Sequence, residues 1–332
     1  MMPICLVGLG SNLGDRRRML DDAVERLRRS SEVRVVAVSP WLETRPVGGP
    51  PGQADYLNGA AVLETSLDPE PLLRLLQQIE DQLGRQRHER WAARTIDLDL
   101  LLCDQLVQAT ASLVLPHPRM AWRRFVLGPA ALVAPDMLHP QIGWTVRQLL
   151  DHLDTSPWYV AICGVVGSDK TSVARQVAQQ TGARLLAAPA TPEHRLEWLE
   201  DVAGLLDANR AEWHRNDSAT VSDFWLGSSA AAARLCLPRI EWAAYRTRWE
   251  HIRSGSARQR LIVLLETPGE EVLRRLGTRP GGQRWTAREL ERMAVAIADA
   301  AVQSGQGPLL RLSGADIEAA ADEVTAALEA MR

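Results

Sequence analysis

Lysine is almost absent from this sequence. Of 38 Lys plus Arg, only Lys170 is a lysine, which leaves 37 arginines, so anions gripped elsewhere meet planar guanidinium forks. Cysteine is sparse as well. Cys5, Cys103, Cys163 and Cys236 are widely separated and each sits in an apolar run. That spacing excludes clustered zinc ligands, and the four read as small core residues. No apolar stretch is long enough to cross a bilayer. The first residues, Met1-Met2-Pro3-Ile4-Cys5-Leu6-Val7, reach Gly8 and Ser11 without a basic leader, so a cytoplasmic location is expected. An excess of basic charge is missing too: the formal net charge is -3, which excludes a general field for nucleic acid and points to small ligands held by local arginine clusters.

What remains is a chain of 332 residues with 46% hydrophobic and 24% charged side chains, long enough for two globular domains. Ile4 to Leu9 is β-prone and runs into Gly10-Ser11-Asn12. Asp15 to Arg29 then carries Met19, Leu20, Ala23, Val24 and Leu27 at helical spacing. Strands are predicted over Val33 to Val38, Leu57 to Leu63 and Thr95 to Leu102, and a helix over Pro69 to Leu83. Thr44 to Gly52 is rich in Pro and Gly and reads as a shaped loop. Leu115 to Leu153 mixes Pro-containing turns with short helices, and Ser156-Pro157 marks a joint before a new strand at Trp158 to Cys163. The expected domains are 1–155 and 156–332.

Chemistry concentrates in Gly84 to Leu100, where Arg85, Arg87, Arg90 and Arg94 precede Asp97 and Asp99. On a strand, Asp97 and Asp99 share one face and Ile96, Leu98 and Leu100 the other. Two carboxylates on one face repel unless a cation neutralises them. Magnesium is held by one or two carboxylates with substrate phosphates, and the arginines suit the phosphate oxygens. A solvated strand edge with surface ion pairs is the alternative on this segment alone. Downstream, Pro116-His117-Pro118-Arg119 with Arg123, Arg124 and Phe125 adds a histidine and further arginines, or is an ordinary turn. Upstream, Tyr56 and Asn58 lie two residues apart, an aromatic and an amide on one strand face, suited to a flat heterocycle or to core packing.

These blocks together resemble the 6-hydroxymethyl-7,8-dihydropterin pyrophosphokinases over Ile4 to about Leu153. The resemblance rests on Gly10-Ser11-Asn12-Leu13-Gly14-Asp15, Pro46-Val47-Gly48-Gly49, Asp55-Tyr56-Leu57-Asn58, Arg90-Trp91 through Asp97-Leu98-Asp99, and Pro116-His117-Pro118-Arg119 through Phe125. It implies an α+β, ferredoxin-like fold and transfer of pyrophosphate from ATP to the pterin in folate synthesis, with AMP released. It also implies two Mg2+ ions on Asp97 and Asp99, with Arg85 and Arg94 catalytic. Gln77, Glu80, Arg87, Arg90, Trp91, Leu100, His117 and Arg123 would surround ATP, and Thr44, Val47, Tyr56, Asn58 and Phe125 the pterin. Arg45 and Ala92-Ala93 depart from the family's pattern and bear on loop rigidity.

The second half opens with Gly164-Val165-Val166-Gly167-Ser168-Asp169-Lys170-Thr171 between a strand and a helix, the context of a P-loop, in which backbone N–H groups and a lysine cradle phosphates. Asp169 stands where glycine is expected before the lysine, and its carboxylate repels phosphate. The chain's one lysine nevertheless occupies the motif's lysine position. With Val221-Ser222-Asp223-Phe224-Trp225-Leu226, Leu237-Pro238 to Trp249, and Leu261 through Pro268 to Arg275, the run from about Trp158 to Met331 resembles deoxynucleoside kinases, which implies an α/β three-layer fold on a parallel sheet. The acidic residue expected after the second strand is lost in Leu186-Ala187-Ala188-Pro189. The reading is a degenerate kinase-like domain retaining Gly164, Gly167, Lys170 and Thr171, kept for stability, homodimerisation or weak nucleotide binding. The alternative is a bifunctional enzyme that also phosphorylates a deoxynucleoside. Trp198, Trp213, Trp225, Trp242, Trp249 and Trp285 read as core or interface residues.

Overall fold

Alternation of apolar residues sets the first sheet, and the computed structural model describes it within residues 2–50, 52–85, 93–190, 193–209, 219–256, 258–277 and 285–332. Arg87, Arg90, Trp91 and Trp213 lie outside the described residues. The chain divides into two compact units, Met1–Asp154 with Ala326–Arg332, and Thr155–Thr325.

The first unit runs β1 (Ile4–Ser11), α1 (Arg16–Arg29), β2 (Val33–Val38), β3 (Leu42–Thr44), β4 (Tyr56–Thr65), α2 (Pro69–Gln82) and β5 (Asp97–Cys103). Two short hairpins, β6 (Gln108–Ala109) with β7 (Val114–Leu115) and β8 (Leu138–His139) with β9 (Trp144–Thr145), accompany α3 (Arg124–Val133) and α4 (Val146–Thr155). The strand order is β2-β4-β1-β5 with β3 beside β4, and every pairing is antiparallel. Thr44, expected at the start of a loop, instead ends a strand that pairs with Tyr56.

Both sheet faces are covered, by different elements. Cys5, Val7 and Leu9 of β1, Ala61 and Leu63 of β4, and Leu98 and Leu100 of β5 form one core with Leu20, Ala23, Val24 and Leu27 of α1 and Leu72, Leu76 and Ile79 of α2. The 3- and 4-residue spacing of those helical positions is why α1 and α2 lie on that face. On the opposite face α3 packs over β4. Asp15 caps α1 by accepting from the Arg18 N–H at 3.1 Å. Gly84, at φ 79°, turns the chain after α2.

The second unit contains a parallel sheet in the order β11-β12-β10-β13-β14, from β10 (Tyr159–Cys163), β11 (Arg184–Leu186), β12 (Thr220–Ser222), β13 (Leu261–Glu266) and β14 (Leu309–Ser313). Its helices are α5 (Lys170–Thr181), α6 (Leu196–Asn209), α7 (Leu226–Cys236), α8 (Arg239–Gly255), α9 (Gly269–Gly277), α10 (Ala287–Gln303) and the start of α11 (Ile317–Ala330). Every position of β10 is buried, as expected of a parallel strand covered on both faces. Trp198 and Trp225 are core residues. Cys236 departs from the core reading: it ends α7 and is exposed, whereas Cys5, Cys103 and Cys163 are buried. No helix among the described residues is long and apolar enough to cross a membrane.

Candidate active site

The face of the first sheet that carries Asn58, Asp97 and Asp99 is lined with glycine on its central strand. On β1, Gly8 and Gly10 alternate with Val7 and Leu9, so the glycines face away from the α1 and α2 core. Gly10 is the register partner of Asn58 on β4 and of Asp97 on β5, and Gly8 is the partner of Asp99. One row across three strands therefore reads Asn58, Gly10, Asp97. A Cβ at Gly10 would stand 3.0 Å from Asn58 Oδ1, 3.9 Å from Tyr56 Cδ1 and 4.0 Å from Asp97 Cβ. Glycine keeps the space between amide, aromatic ring and carboxylate open.

On one side of that glycine, the Asn58 amide donates to Thr44 Oγ1 at 2.7 Å. Asn58 is buried and Tyr56 and Thr44 half-buried. Burial raises the Tyr56 pKa above its ordinary value, keeping the ring neutral. Phe125, in the first turn of α3, is half-buried with the Arg123 guanidinium 5.5 Å from its ring centroid.

On the other side, Asp97 is held by two arginines. Arg85 lies 2.7 Å from one carboxylate oxygen and Arg94 lies 2.6 Å from the other. Burial and the charge of Asp99 still raise the Asp97 pKa, against the pull of Arg94 and Arg85. Burial lowers the Arg94 pKa, but Asp97, Tyr56 and Asp99 outweigh it and the net direction is up. The two sequence-predicted carboxylates thus form a crowded negative pair to which an added cation is complementary. No group of three or more His, Cys, Asp and Glu able to hold a metal occurs among the described residues.

Glu80 lies behind this pair. It is 2% exposed, accepts from the Leu98 N–H at 2.7 Å and forms an ion pair with Arg85. Leu98 lies on β5, an edge strand of the sheet, so Glu80 satisfies a backbone donor with no strand partner on that side. Burial pushes the Glu80 pKa up to about 7. Glu80 was expected around ATP; its observed contacts align Arg85 and β5. Leu100, expected beside ATP, turns its side chain into the α1 and α2 core, so only its backbone remains for that face. Gln77 is half-buried on α2.

His117 is half-buried, and its backbone N–H donates to the Leu101 carbonyl at 2.8 Å. Burial, with Arg123 and Arg119 nearby, lowers its pKa to about 3. The Arg119 N–H donates to His117 Nδ1 at 3.2 Å, so the neutral ring carries its proton on Nε2.

Sequence reasoning missed what holds the loops. Asn12, 2% exposed, accepts from the Arg94 N–H at 2.7 Å and donates to Gln53 Oε1 at 3.2 Å. Ser11 Oγ donates to the Thr95 carbonyl at 2.6 Å. The Gly10-Ser11-Asn12 turn therefore ties the arginine segment and the end of the Pro/Gly loop bearing Val47 to one point. The signal available was a Ser-Asn pair leaving a strand, which alone reads as a turn.

In the second unit Lys170 Nζ donates to the carbonyls of Gly164 and Val165 at 2.9 and 3.0 Å. Asp169, at φ 59°, pairs with Arg275 at 3.1 Å. Gly164 is required, since a Cβ there would lie 2.8 Å from the Leu265 carbonyl oxygen; Gly167, at φ 80°, needs the same freedom. Thr171 Oγ1 donates to Asp223 at 2.5 Å, and Asp223 accepts from the Ala188 N–H at 2.6 Å. Glu193 accepts from Ser228 at 3.3 Å, and burial raises its pKa against the attraction of Lys170. Neither Asp223 nor Glu193 was singled out from the sequence as a partner of the loop.

Comparison with known proteins bears on the first unit. The family model for 7,8-dihydro-6-hydroxymethylpterin-pyrophosphokinase matches residues 6–135. A 2-amino-4-hydroxy-6-hydroxymethyldihydropteridine pyrophosphokinase from Synechocystis sp. is 41% identical over 157 residues, 47% of this chain and 80% of that protein. The enzyme of the same name from Bacillus subtilis is 49% identical over 131 residues, 40% of this chain and 78% of that protein. A deoxyadenosine kinase from M. mycoides solved with bound dCTP covers 50% of this chain and 96% of its own, at 12% identity and a TM-score of 0.39, too remote to bear on function. With two such relatives matched over more than three quarters of their lengths, the chain belongs to the 7,8-dihydro-6-hydroxymethylpterin-pyrophosphokinase family.

Proposed function

We propose that the first unit transfers pyrophosphate from ATP to the hydroxymethyl oxygen of 6-hydroxymethyl-7,8-dihydropterin, releasing AMP, as a step of folate synthesis. The observation that supports this reading is the row Asn58, Gly10, Asp97, in which an amide suited to a heterocycle edge and a carboxylate suited to a cation flank one glycine. A unit of ferredoxin-like type accounts for the β-α-β-β-α-β order of its main elements. In this reading 1–155 is the pyrophosphokinase domain and 156–332 the kinase-like domain, although Ala326–Arg332 belongs to the first compact unit.

The pterin lies between Tyr56 and Phe125, its edge on Asn58, with Thr44 fixing the amide and Val47 closing the pocket. Magnesium, two ions in this reading, supplies charge neutralisation for the triphosphate; Asp97 and Asp99 would hold it, and their mutual repulsion and oxygen donors fit a hard cation. Arg85 and Arg94 neutralise charge on the transferring group. His117 offers a neutral Nε2–H donor toward ATP, with Arg123 and Gln77 beside it. Arg87, Arg90 and Trp91 complete the nucleotide side in this reading, although they lie outside the described residues. The pterin oxygen attacks the β-phosphorus and AMP leaves in line. Such a transfer needs positioning and charge stabilisation more than a protein nucleophile.

The second unit is read as a P-loop domain without kinase turnover, because Asp169 and Lys170 are engaged by Arg275 and the loop's own carbonyls. Glu193 and Asp223 beside the loop favour the second reading, a deoxynucleoside kinase. A product assay separates them. AMP formed from ATP only with the pterin supports the first reading, ADP formed with a deoxynucleoside supports the second, and absence of AMP with the pterin overturns the pyrophosphokinase.

A further inference from the structure

We propose that Cys5 and Cys103 form a modification site: a facing thiol pair that closes to an intramolecular disulfide on reaction with a low-molecular-weight disulfide. The two are register partners on the antiparallel strands β1 and β5, and the Cys5 thiol donates to the Cys103 sulfur with the sulfurs 2.9 Å apart. Opposite residues in an antiparallel pair alternate between hydrogen-bonded and non-hydrogen-bonded sites. The adjacent Ile4 and Asp104 are joined by the Asp104 N–H to the Ile4 carbonyl at 2.8 Å, so Cys5 and Cys103 occupy a non-hydrogen-bonded site. There the Cα atoms approach to about 4.5 Å, inside the ~4.4–6.8 Å range that a disulfide spans.

This meeting depends on one irregularity in the sheet. Leu6 pairs with Leu102 but Val7 pairs with Leu100, so Leu101 is an extra residue on β5. Strict alternation from Asp97 would place Cys103 on the carboxylate face. The bulge turns it instead to the face of Leu98 and Leu100, opposite Cys5.

The hydrogen bond from Cys5 favours the thiolate on Cys103, lowering its pKa, while the same bond and burial raise that of Cys5. Cys103 is accordingly the attacking sulfur. Its thiolate attacks one sulfur of the reagent, giving a mixed disulfide and one reagent thiolate. The Cys5 sulfur then displaces the second reagent thiolate as the protein S–S bond forms, and the two thiol protons pass to the reagent thiolates. The protein is oxidised by two electrons and the reagent disulfide is reduced to two thiols. Cys103 is 5% exposed and close to the exposed Asp104 at the strand's end, which gives the reagent its approach.

The test is incubation of the native full-length protein with bis(2-hydroxyethyl) disulfide, followed by alkylation in denaturant and non-reducing peptide mapping. The expected result is a link between tryptic peptides Met1–Arg16 and Thr95–Arg119, reversed by dithiothreitol. The pair's closure removes two of the four thiols. A link spanning strands that already pair in the native sheet raises the melting temperature of the oxidised wild type. Cys5→Ala and Cys103→Ala each abolish the link, and the wild-type map stands on its own if either variant folds poorly. Persistence of both thiols while exposed Cys236 reacts, or a link that lowers the melting temperature, overturns the proposal.

Discussion

Replacing Gly10 by alanine probes the glycine-lined face directly. The added Cβ would sit 3.0 Å from Asn58 Oδ1, tighter than the 3.4 Å at which ordinary contact begins. Relief requires a few tenths of an ångström, and Asn58 is tied to Thr44 on the far side. Stability is expected to fall by roughly 0–2.5 kcal/mol. Gly→Ala inside a strand gains roughly 0.5–1 kcal/mol in backbone entropy, against about 1–3 kcal/mol for inserting a methyl into a packed site. Reactivity is more sensitive, since a misplacement of about 1 Å costs on the order of a hundredfold. A shift of a few tenths, with the methyl standing between amide and carboxylate, is expected to lower kcat/KM for the pterin about ten- to a hundredfold, or roughly 1.4–2.7 kcal/mol of transition-state stabilisation. The assay is AMP release at varied pterin and fixed ATP, with a melting curve alongside. A folded Gly10→Ala protein with kcat/KM within about twofold of wild type would refute the placement of substrate across Gly10.

Three further outcomes are expected. Asp99→Asn removes the charge that raises Asp97, so AMP formation should fall by roughly a thousandfold while the melting temperature holds or rises; a variant with normal turnover contradicts the metal assignment. Lys170→Ala removes two hydrogen bonds within the second unit and should destabilise it by about 2 kcal/mol in denaturant titration, with AMP formation unchanged. Stability should also depend on pH through His117 and His139, whose folded pKa values fall from 6.5 to about 3 and about 4 by burial. Because those values are depressed, their contribution is present above pH 6.5 and is lost as pH falls toward 4, on the order of 3 kcal/mol for His139. Glu80 acts oppositely: its folded pKa is raised from 4.5 to about 7, so its contribution is present below pH 4.5 and is lost as pH rises through 7. Urea midpoints from pH 4 to 8 check both signs, and His139→Gln should flatten the acid limb.

The main strands and helices of the first unit were legible because each buries one face, so apolar residues recur at the element's own period. Val33–Val38 matches its predicted span, and Asp97 and Asp99 share a face with Leu98 and Leu100 opposite. Single-element periodicity carries no information about which strands become neighbours. That is why the row Asn58, Gly10, Asp97 was invisible: its members lie 48 and 39 residues apart in the chain and meet only through β1 in the middle. The bulge at Leu101 was hidden for the same reason. So was Glu80, whose helical position reads as an ordinary charged residue until β5 leaves an N–H at the sheet's edge.

The second unit reverses this relation between motif and site. Its loop was legible as a short pattern, since the turn needs Gly164 and Gly167 at fixed offsets from Lys170, and the Asp169 substitution was visible by the same rule. The groups that decide what such a loop does come from distant segments. Asp223 reaches Thr171 from the end of β12, Glu193 approaches from the segment after β11, and Arg275 reaches Asp169 from α9. The carboxylate sought at Leu186 to Pro189 is absent there, yet Glu193, four residues beyond Pro189, is half-buried within the electrostatic reach of Lys170. A raised carboxyl pKa beside a lysine follows from burial in any folded core. Lys170 sets the physical cost on which the two readings turn. Its ammonium now satisfies two loop carbonyls, and a phosphate must draw it away from both while approaching the carboxylate of Asp169. The Asp169–Arg275 ion pair bears on that cost, because it already balances the carboxylate that a phosphate would meet.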